Sequence, residues 1–257
     1  MTAPGLRASV ERRLVELGAD HDLAPGVLAR LRAILALFAT DPEAPTAVRD
    51  PLAAVDVHVA DALSALALPG VQRARRGADL GSGAGVPGLV LAAARPGLAM
   101  ALVESVGRKG EFLRRAVAAV GCRGVDVVVE RAEDWDAGLG AHDLICARAL
   151  ASLPVVAEYA APLLTEGGEL VAWRGRRDAA DEQAGARAAL ELGMELVEVR
   201  RVAPFNGAAD HHLHVLRKVA PTPERFPRRA GMARKRPLGT GNGVRPPARA
   251  GSRPAMG

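Results

Sequence analysis

Apolar residues over the first seventy positions recur at helical spacing. Leu14, Leu17, Leu28, Leu31, Leu35 and Phe38 fall three or four residues apart within their stretches, which predicts helix. A proline-containing break, Asp41 to Pro45, interrupts the pattern. Val55, Val59, Ala62, Leu63 and Leu66 then predict a further helix that ends at Pro69-Gly70. From Gly77 the rhythm changes. Short apolar runs at Ala78–Leu80, Ala99–Val103, Val125–Val129, Leu144–Ala147 and Glu169–Trp173 read as strands. Between them Val86–Arg95, Arg108–Val120, a short piece near Ala132–Trp135, and Leu153–Leu164 read as helix. Such alternation predicts a mostly parallel sheet with helices on both faces. A polar helix over Asp178–Leu192 precedes two last strands, Glu195–Val202 and His211–Val219. The Pro204–Asp210 connection is too short for a parallel crossover, so these two strands are expected to pair as an antiparallel hairpin. Beyond Pro221 no periodicity remains, and a disordered extension is expected there.

Charge changes the picture at that point. The chain of 257 residues carries a net +5. Residues 221–257 hold nine Lys/Arg against one acid, a net +8, so the other 220 residues carry −3. A basic extension on a mildly acidic body suggests a nucleic-acid partner. Aromatic residues are 3%, which argues against an RNA platform of stacked rings. Cys122 and Cys146 have no Cys-x-x-Cys or Cys/His spacing, which excludes a disulfide scaffold and a zinc knuckle. Arg95, Pro96 and Gly97 interrupt the most apolar stretch short of the roughly 18 residues of a membrane helix. With no secretory leader pattern at the N-terminus, the expected location is the cytoplasm.

The chemistry-bearing motif is Asp79-Leu80-Gly81-Ser82-Gly83-Ala84-Gly85-Val86-Pro87-Gly88, placed after the first strand. Its glycines allow a tight turn and close approach of a ligand to the backbone. Glu104 ends the second strand, where a carboxylate can accept hydrogen bonds from both hydroxyls of a ribose. Two cofactors compete. Gly83 to Gly88 fits G-x-G-x-x-G and Glu104 follows Gly83 by 21 positions, as in a dinucleotide fold. Asp79 is better placed for the ammonium of S-adenosylmethionine than for a pyrophosphate. Ala132-Glu133 after the third strand offers a second polar contact for adenine, and the closing hairpin does not continue a second mononucleotide-binding half. On these grounds S-adenosylmethionine leads, with an NAD-dependent oxidoreductase and a non-enzymatic RNA-binding module as the alternatives.

Other residues carry weaker signals. His58 and Asp61 share a helix face, which suggests a structural pair. His211, His212 and His214 lack a neighbouring carboxylate or cysteine cluster, so no metal site is expected. Arg108-Lys109 and Arg114-Arg115 form either a solvated helix face or phosphate contacts, and Trp173-Arg174 suggests a stacking and charge pair. Arg148 ends the fourth strand, beside the cofactor, where a salt bridge competes with a contact to a substrate base.

The order and spacing of these segments resemble the bacterial 16S ribosomal RNA guanine-N7 methyltransferases, the RsmG or glucose-inhibited division protein B family. The resemblance covers roughly residues 45–240 and is carried by Asp79–Gly88 with Pro87, Val103-Glu104-Ser105, and Gly107-Arg108-Lys109 with Phe112-Leu113. Arg131-Ala132-Glu133, Ala147-Arg148-Ala149, and a basic ending at Phe226-Pro227-Arg228-Arg229 and Lys235-Arg236-Pro237-Leu238 complete it. Arg174 stands where the family usually has lysine. The resemblance implies a class I, Rossmann-like α/β methyltransferase with a seven-stranded, mostly parallel sheet. Residues 1–70 would form a helical region on the core, 71–220 the cofactor-binding domain and 221–257 the basic extension.

It also implies methyl transfer to N7 of guanine 527 in the 530 loop of 16S rRNA, within the small ribosomal subunit or its precursor. Cofactor contacts would fall on Gly81, Val86, Ala132, Glu133 and Arg148, to which the residue chemistry adds Asp79, Gly83 and Glu104. RNA contacts would fall on Arg108, Lys109, Arg148, Arg174, Arg228, Arg229, Lys235 and Arg236. No acid–base catalyst is expected, because guanine N7 carries a lone pair and no proton.

Overall fold

In the computed structural model, residues 4–240 are described. Helices α1 (Pro4–Asp20) and α2 (Pro25–Thr40) form an antiparallel start, the second opened by proline at its first turn. After the break, a continuous helical stretch runs through α3 (Pro51–Ala54), a π turn (Val55–Ala60), α4 (Asp61–Leu63) and a 3₁₀ turn (Ser64–Ala67). Asp50 caps α3 by accepting from the Ala53 N–H at 2.8 Å. The stretch stops at Ala67, with Leu68 extended before Pro69, where the sequence places its end. Pro69 opens a separate short helix, α5 (Pro69–Arg73), because a proline at the first helical position loses no hydrogen bond.

Strands and helices then alternate: β1 (Arg76–Leu80), α6 (Gly88–Ala94), β2 (Ala99–Val103), α7 (Gly107–Val120), β3 (Val125–Val128), β4 (His142–Arg148), α8 (Leu153–Ala160), β5 (Leu164–Arg174), α9 (Ala179–Glu191), β6 (Met194–Val202) and β7 (His211–Lys218). The sheet order is β3-β2-β1-β4-β5-β7-β6. The first five strands are parallel, and β7 pairs antiparallel with both β5 and β6, as the short connection requires. This is the expected seven-stranded α/β architecture.

Successive buried side chains of β4 point to opposite faces of the sheet and divide the core. Leu144 and Cys146 face one layer, with Leu89, Leu102, Phe112 and the N-terminal residues Leu14, Leu31 and Phe38. Ile145 and Ala147 face the other, with Leu153, Val156 and Leu192. The N-terminal helices therefore share a core with the sheet. Helix α7 shows how polarity follows position: Phe112, Leu113 and Ala116 are buried while Arg108, Arg114 and Arg115 are exposed, and Gly121 ends it in the left-handed region at φ 66°.

Residues 221–240 correct the expectation of disorder. They carry a short helix, α10 (Met232–Lys235), and lie on the second core layer through buried Phe226 and Ala233 and partly buried Leu238. Three apolar anchors and backbone hydrogen bonds to the body compensate for the ordering of a segment whose composition alone is unfavourable. Residues 241–257, the rest of the expected basic extension, lie outside the described residues.

Candidate functional site

Strand order reverses direction at β1 and β4, so the loops after these strands leave a crevice at the carboxyl edge of the sheet. The glycine loop fills one side of it. Gly81, Gly83 and Gly85 have φ of 70°, 54° and 86°, a conformation that side-chain-bearing residues rarely adopt. These turns delay the helix to Gly88, two residues beyond the Val86 start suggested by the sequence. Val86 is buried in the loop. A Cβ on Gly81 would lie 2.7 Å from Leu150 Cδ1, so the loop can pack against this pocket-lining residue only without a side chain.

Asp79 organises the loop from below. Its Oδ2 accepts from Ser82 Oγ at 2.5 Å and from the Gly88 N–H at 3.0 Å. Its Oδ1 is buried without a hydrogen-bond partner. Burial pushes the carboxyl up to about 6, against the lowering effect of those two donors. Glu104 ties the loop to the end of β2: Oε2 accepts from the Gly83 N–H at 3.1 Å and Oε1 from the Val106 N–H at 2.9 Å. Each oxygen retains acceptor capacity, as binding a ribose requires. Ala132 and Glu133 lie in a 3₁₀ turn and line a pocket with Gly81, Leu150, Tyr159 and Arg234.

A larger cleft of 590 Å³ adjoins this pocket across Leu150. Arg148 stands in its wall, anchored to the N-terminal helices. Its Nη1 donates to Asp61 Oδ2 at 3.0 Å and to the Val57 carbonyl at 2.9 Å, and its Nη2 donates to His58 Nδ1 at 3.0 Å. Since a guanidinium only donates, His58 accepts at Nδ1, and its Nε2–H donates to Thr46 Oγ1 at 2.8 Å. Burial and the Arg148 charge push His58 down to about 4, so the ring is neutral near pH 7. The pair suggested by His58 and Asp61 is thus joined through Arg148. Asp61 also meets His211, with Oδ1 3.0 Å from Nδ1. His211 lines the cleft and escaped the sequence reading as a partner of Asp61, since 150 positions separate them.

Trp173 lines the cleft beside Arg174. It is buried, and its indole N–H donates to the Asp61 carbonyl at 2.9 Å. Arg174 lines the cleft while bonding the Ala151 carbonyl and Asp181. Of the other RNA candidates, Arg108 is exposed and Lys109 lies 4.0 Å from Glu104 Oε2. Arg229, Lys235 and Arg236 are exposed. Arg228 is not available in the same way: it forms a two-pronged ion pair with buried Glu158 and donates to the Arg236 carbonyl. Its role is to hold the C-terminal segment down, a correction to its expected place among the phosphate contacts. His214 pairs with Glu182 and His212 with the Gly175 carbonyl. Among the described residues, no group of three or more His, Cys, Asp or Glu could hold a metal ion. No helix among them is long and apolar enough to cross a membrane.

The residues fit S-adenosylmethionine on two structural grounds: a buried, unpartnered Asp79 acceptor that an ammonium would satisfy, and a glycine cradle that a Cβ on Gly81 would fill. Comparison with known proteins points the same way. The family model described as rRNA small subunit methyltransferase G, GidB, matches residues 44–213. The Ribosomal RNA small subunit methyltransferase G of Symbiobacterium thermophilum is 39% identical over 93% of this chain and 100% of its own length. That of Deinococcus radiodurans is 38% identical over 88% of this chain and 92% of its own. An O-methyltransferase family protein from Burkholderia thailandensis shares the fold, with a TM-score of 0.52 and 17% identity over 82% of this chain and 72% of its own. Nothing in these matches supports an oxidoreductase or a non-enzymatic module. Loop, strand-end carboxylate, sheet order and relatives agree, and the chain belongs to the rRNA small subunit methyltransferase G (GidB) family.

Proposed function

We propose that this chain methylates N7 of guanine 527 in 16S ribosomal RNA with S-adenosylmethionine, in the cytoplasm, on the small ribosomal subunit or its precursor. The relatives' name gives small-subunit ribosomal RNA as their substrate. The observation that carries the reading is the adjacency of two spaces at one sheet edge. The glycine-loop pocket and the 590 Å³ cleft share Leu150 as their common wall. A cofactor in the first faces a base in the second.

The bound cofactor supplies an electrophilic sulfonium methyl. Guanine N7 has an in-plane lone pair and no proton, so the protein has no base to provide. Its residues orient and exclude water. Asp79 accepts the amino-acid ammonium, Glu104 accepts from the ribose, and Ala132 with Glu133 borders the adenine. Arg148, held by Asp61, keeps N–H groups to donate to guanine O6 and leaves N7 free. Target access requires the base to leave its stack. Arg108, Lys109, Arg174, Arg229, Lys235 and Arg236 supply positive charge for phosphates.

The test is chain cleavage at N7-methylguanosine in unmethylated 16S rRNA incubated with the protein and S-adenosylmethionine. Cleavage at position 527 is expected. Methyl incorporation elsewhere, or none, would overturn the reading.

A further inference from the structure

The C-terminal segment occupies a place that its composition does not suggest. Instead of standing off the body, it crosses the mouth of the pocket beside Ala132 and Glu133. Arg228 is its anchor, paired with Glu158, which is 2% exposed. Three residues on, the Gly231 N–H donates to Glu133 Oε1 at 2.9 Å. Gly231 has φ 81°, which turns the chain into α10 at that contact. Arg234 Nη2 then donates to the Leu150 carbonyl at 2.9 Å, and Arg234 lines the pocket itself. Tyr159 lines the same pocket and interacts with both Glu133 and Arg234. Gly239 closes the segment against α9, where its carbonyl accepts from Arg187 at 2.7 Å.

Two consequences follow from this geometry. The pocket is small, 70 Å³ against 590 Å³ in the adjoining cleft, and Arg234 and Gly81 both line it. Its polar lining also pairs an acceptor, Glu133, with a donor, Arg234. Adenine presents the complementary pattern, a donor at its exocyclic amine and acceptors at its ring nitrogens.

We propose that residues 228–236 form the outer wall of the adenosyl pocket, with Arg234 and Gly231-held Glu133 as its adenine-facing polar groups. The segment fixed by Arg228 thus belongs to the cofactor site.

This inference rests on the cofactor reading above, and the experiment separates the two. Calorimetric titration with S-adenosylhomocysteine is run on the wild-type chain, Arg234→Ala and Gly231→Pro, with melting temperature and affinity for a 16S rRNA fragment alongside. Gly231→Pro removes the N–H given to Glu133 and, since proline cannot hold φ 81°, also breaks the turn that brings α10 to the pocket. The wild type is expected to bind, and both variants to bind at least fivefold more weakly. Absence of wild-type binding overturns the cofactor reading. Wild-type affinity in Arg234→Ala overturns the wall, including the case where only RNA affinity falls and the segment is an RNA arm. If the variants do not fold, hydrogen exchange on the wild type decides. Residues 229–236 are expected to change protection on adding S-adenosylhomocysteine, and unchanged exchange there overturns the proposal.

Discussion

Asp79→Asn separates the structural cost of the buried carboxylate from its use. The Asp79 carboxyl is 1% exposed and its pKa rises from 3.8 to about 6, burial being the largest cause. That rise corresponds to about 3 kcal/mol of unfavourable free energy in the folded, ionised state. The sign follows from proton binding. Between pH 3.8 and about 6 the folded state holds more protons than the unfolded one. Stability therefore falls as pH rises through this window, and the full penalty stands above it. Asparagine keeps an acceptor for Ser82 and the Gly88 N–H and removes the charge. Urea unfolding at pH 4 and pH 8 should show the variant gaining on the wild type by about 2–3 kcal/mol at the higher pH. The same variant should bind S-adenosylhomocysteine more weakly by tenfold or more, because the ligand ammonium loses its counter-charge. Near pH 6 the wild type should release a fraction of a proton on binding, read from calorimetry in buffers of different ionisation enthalpy. A variant with unchanged pH dependence of stability would refute the burial argument. Unchanged affinity would refute the ammonium contact.

Three further outcomes test other parts of the site. Gly81→Ala places a Cβ 2.7 Å from Leu150 Cδ1 at φ 70°, which should cost about 1–2 kcal/mol in backbone strain and lower S-adenosylhomocysteine affinity, measured by calorimetry. Arg148→Ala leaves the Asp61 carboxylate, 6% exposed, with His211 as its remaining side-chain partner, so urea unfolding should show a loss of about 3 kcal/mol that Asp61→Asn partly restores. Arg228→Ala and Arg229→Ala should diverge: the first strands buried Glu158 and costs about 3 kcal/mol, while the second changes stability by under about 0.5 kcal/mol and reduces the salt slope of RNA binding by about 1.

The sheet was legible because its signals are local. Apolar runs, glycine turns and the length of Pro204–Asp210 specify strands, crossovers and the hairpin without distant information. β4 and β5 begin earlier than their apolar runs, at His142 and Leu164, since backbone pairing with a neighbour extends a strand past its hydrophobic part. Asp79, Gly81 and Glu104 were legible for the same reason, each sitting next to a strand end. The Arg148–Asp61–His211 cluster was not, because its three members come from separate elements and only the fold brings them within 3.0 Å. The docked segment at 221–240 misled for a different reason. Its proline, glycine and arginine content reads as an extension, whereas a few buried anchors and one buried ion pair decide its conformation.

The Asp61 carboxylate also makes the cleft depend on distant parts of the chain. Its side-chain partners stand 87 and 150 positions further along the chain. The cleft wall needs Arg148 at the end of β4, and His211 comes from β7. Contacts of such long sequence separation must offset a large loop-closure entropy. The space for the base is therefore a product of complete folding. A chain that lacks β7 keeps the sequence of the glycine loop but has no His211 at the cleft.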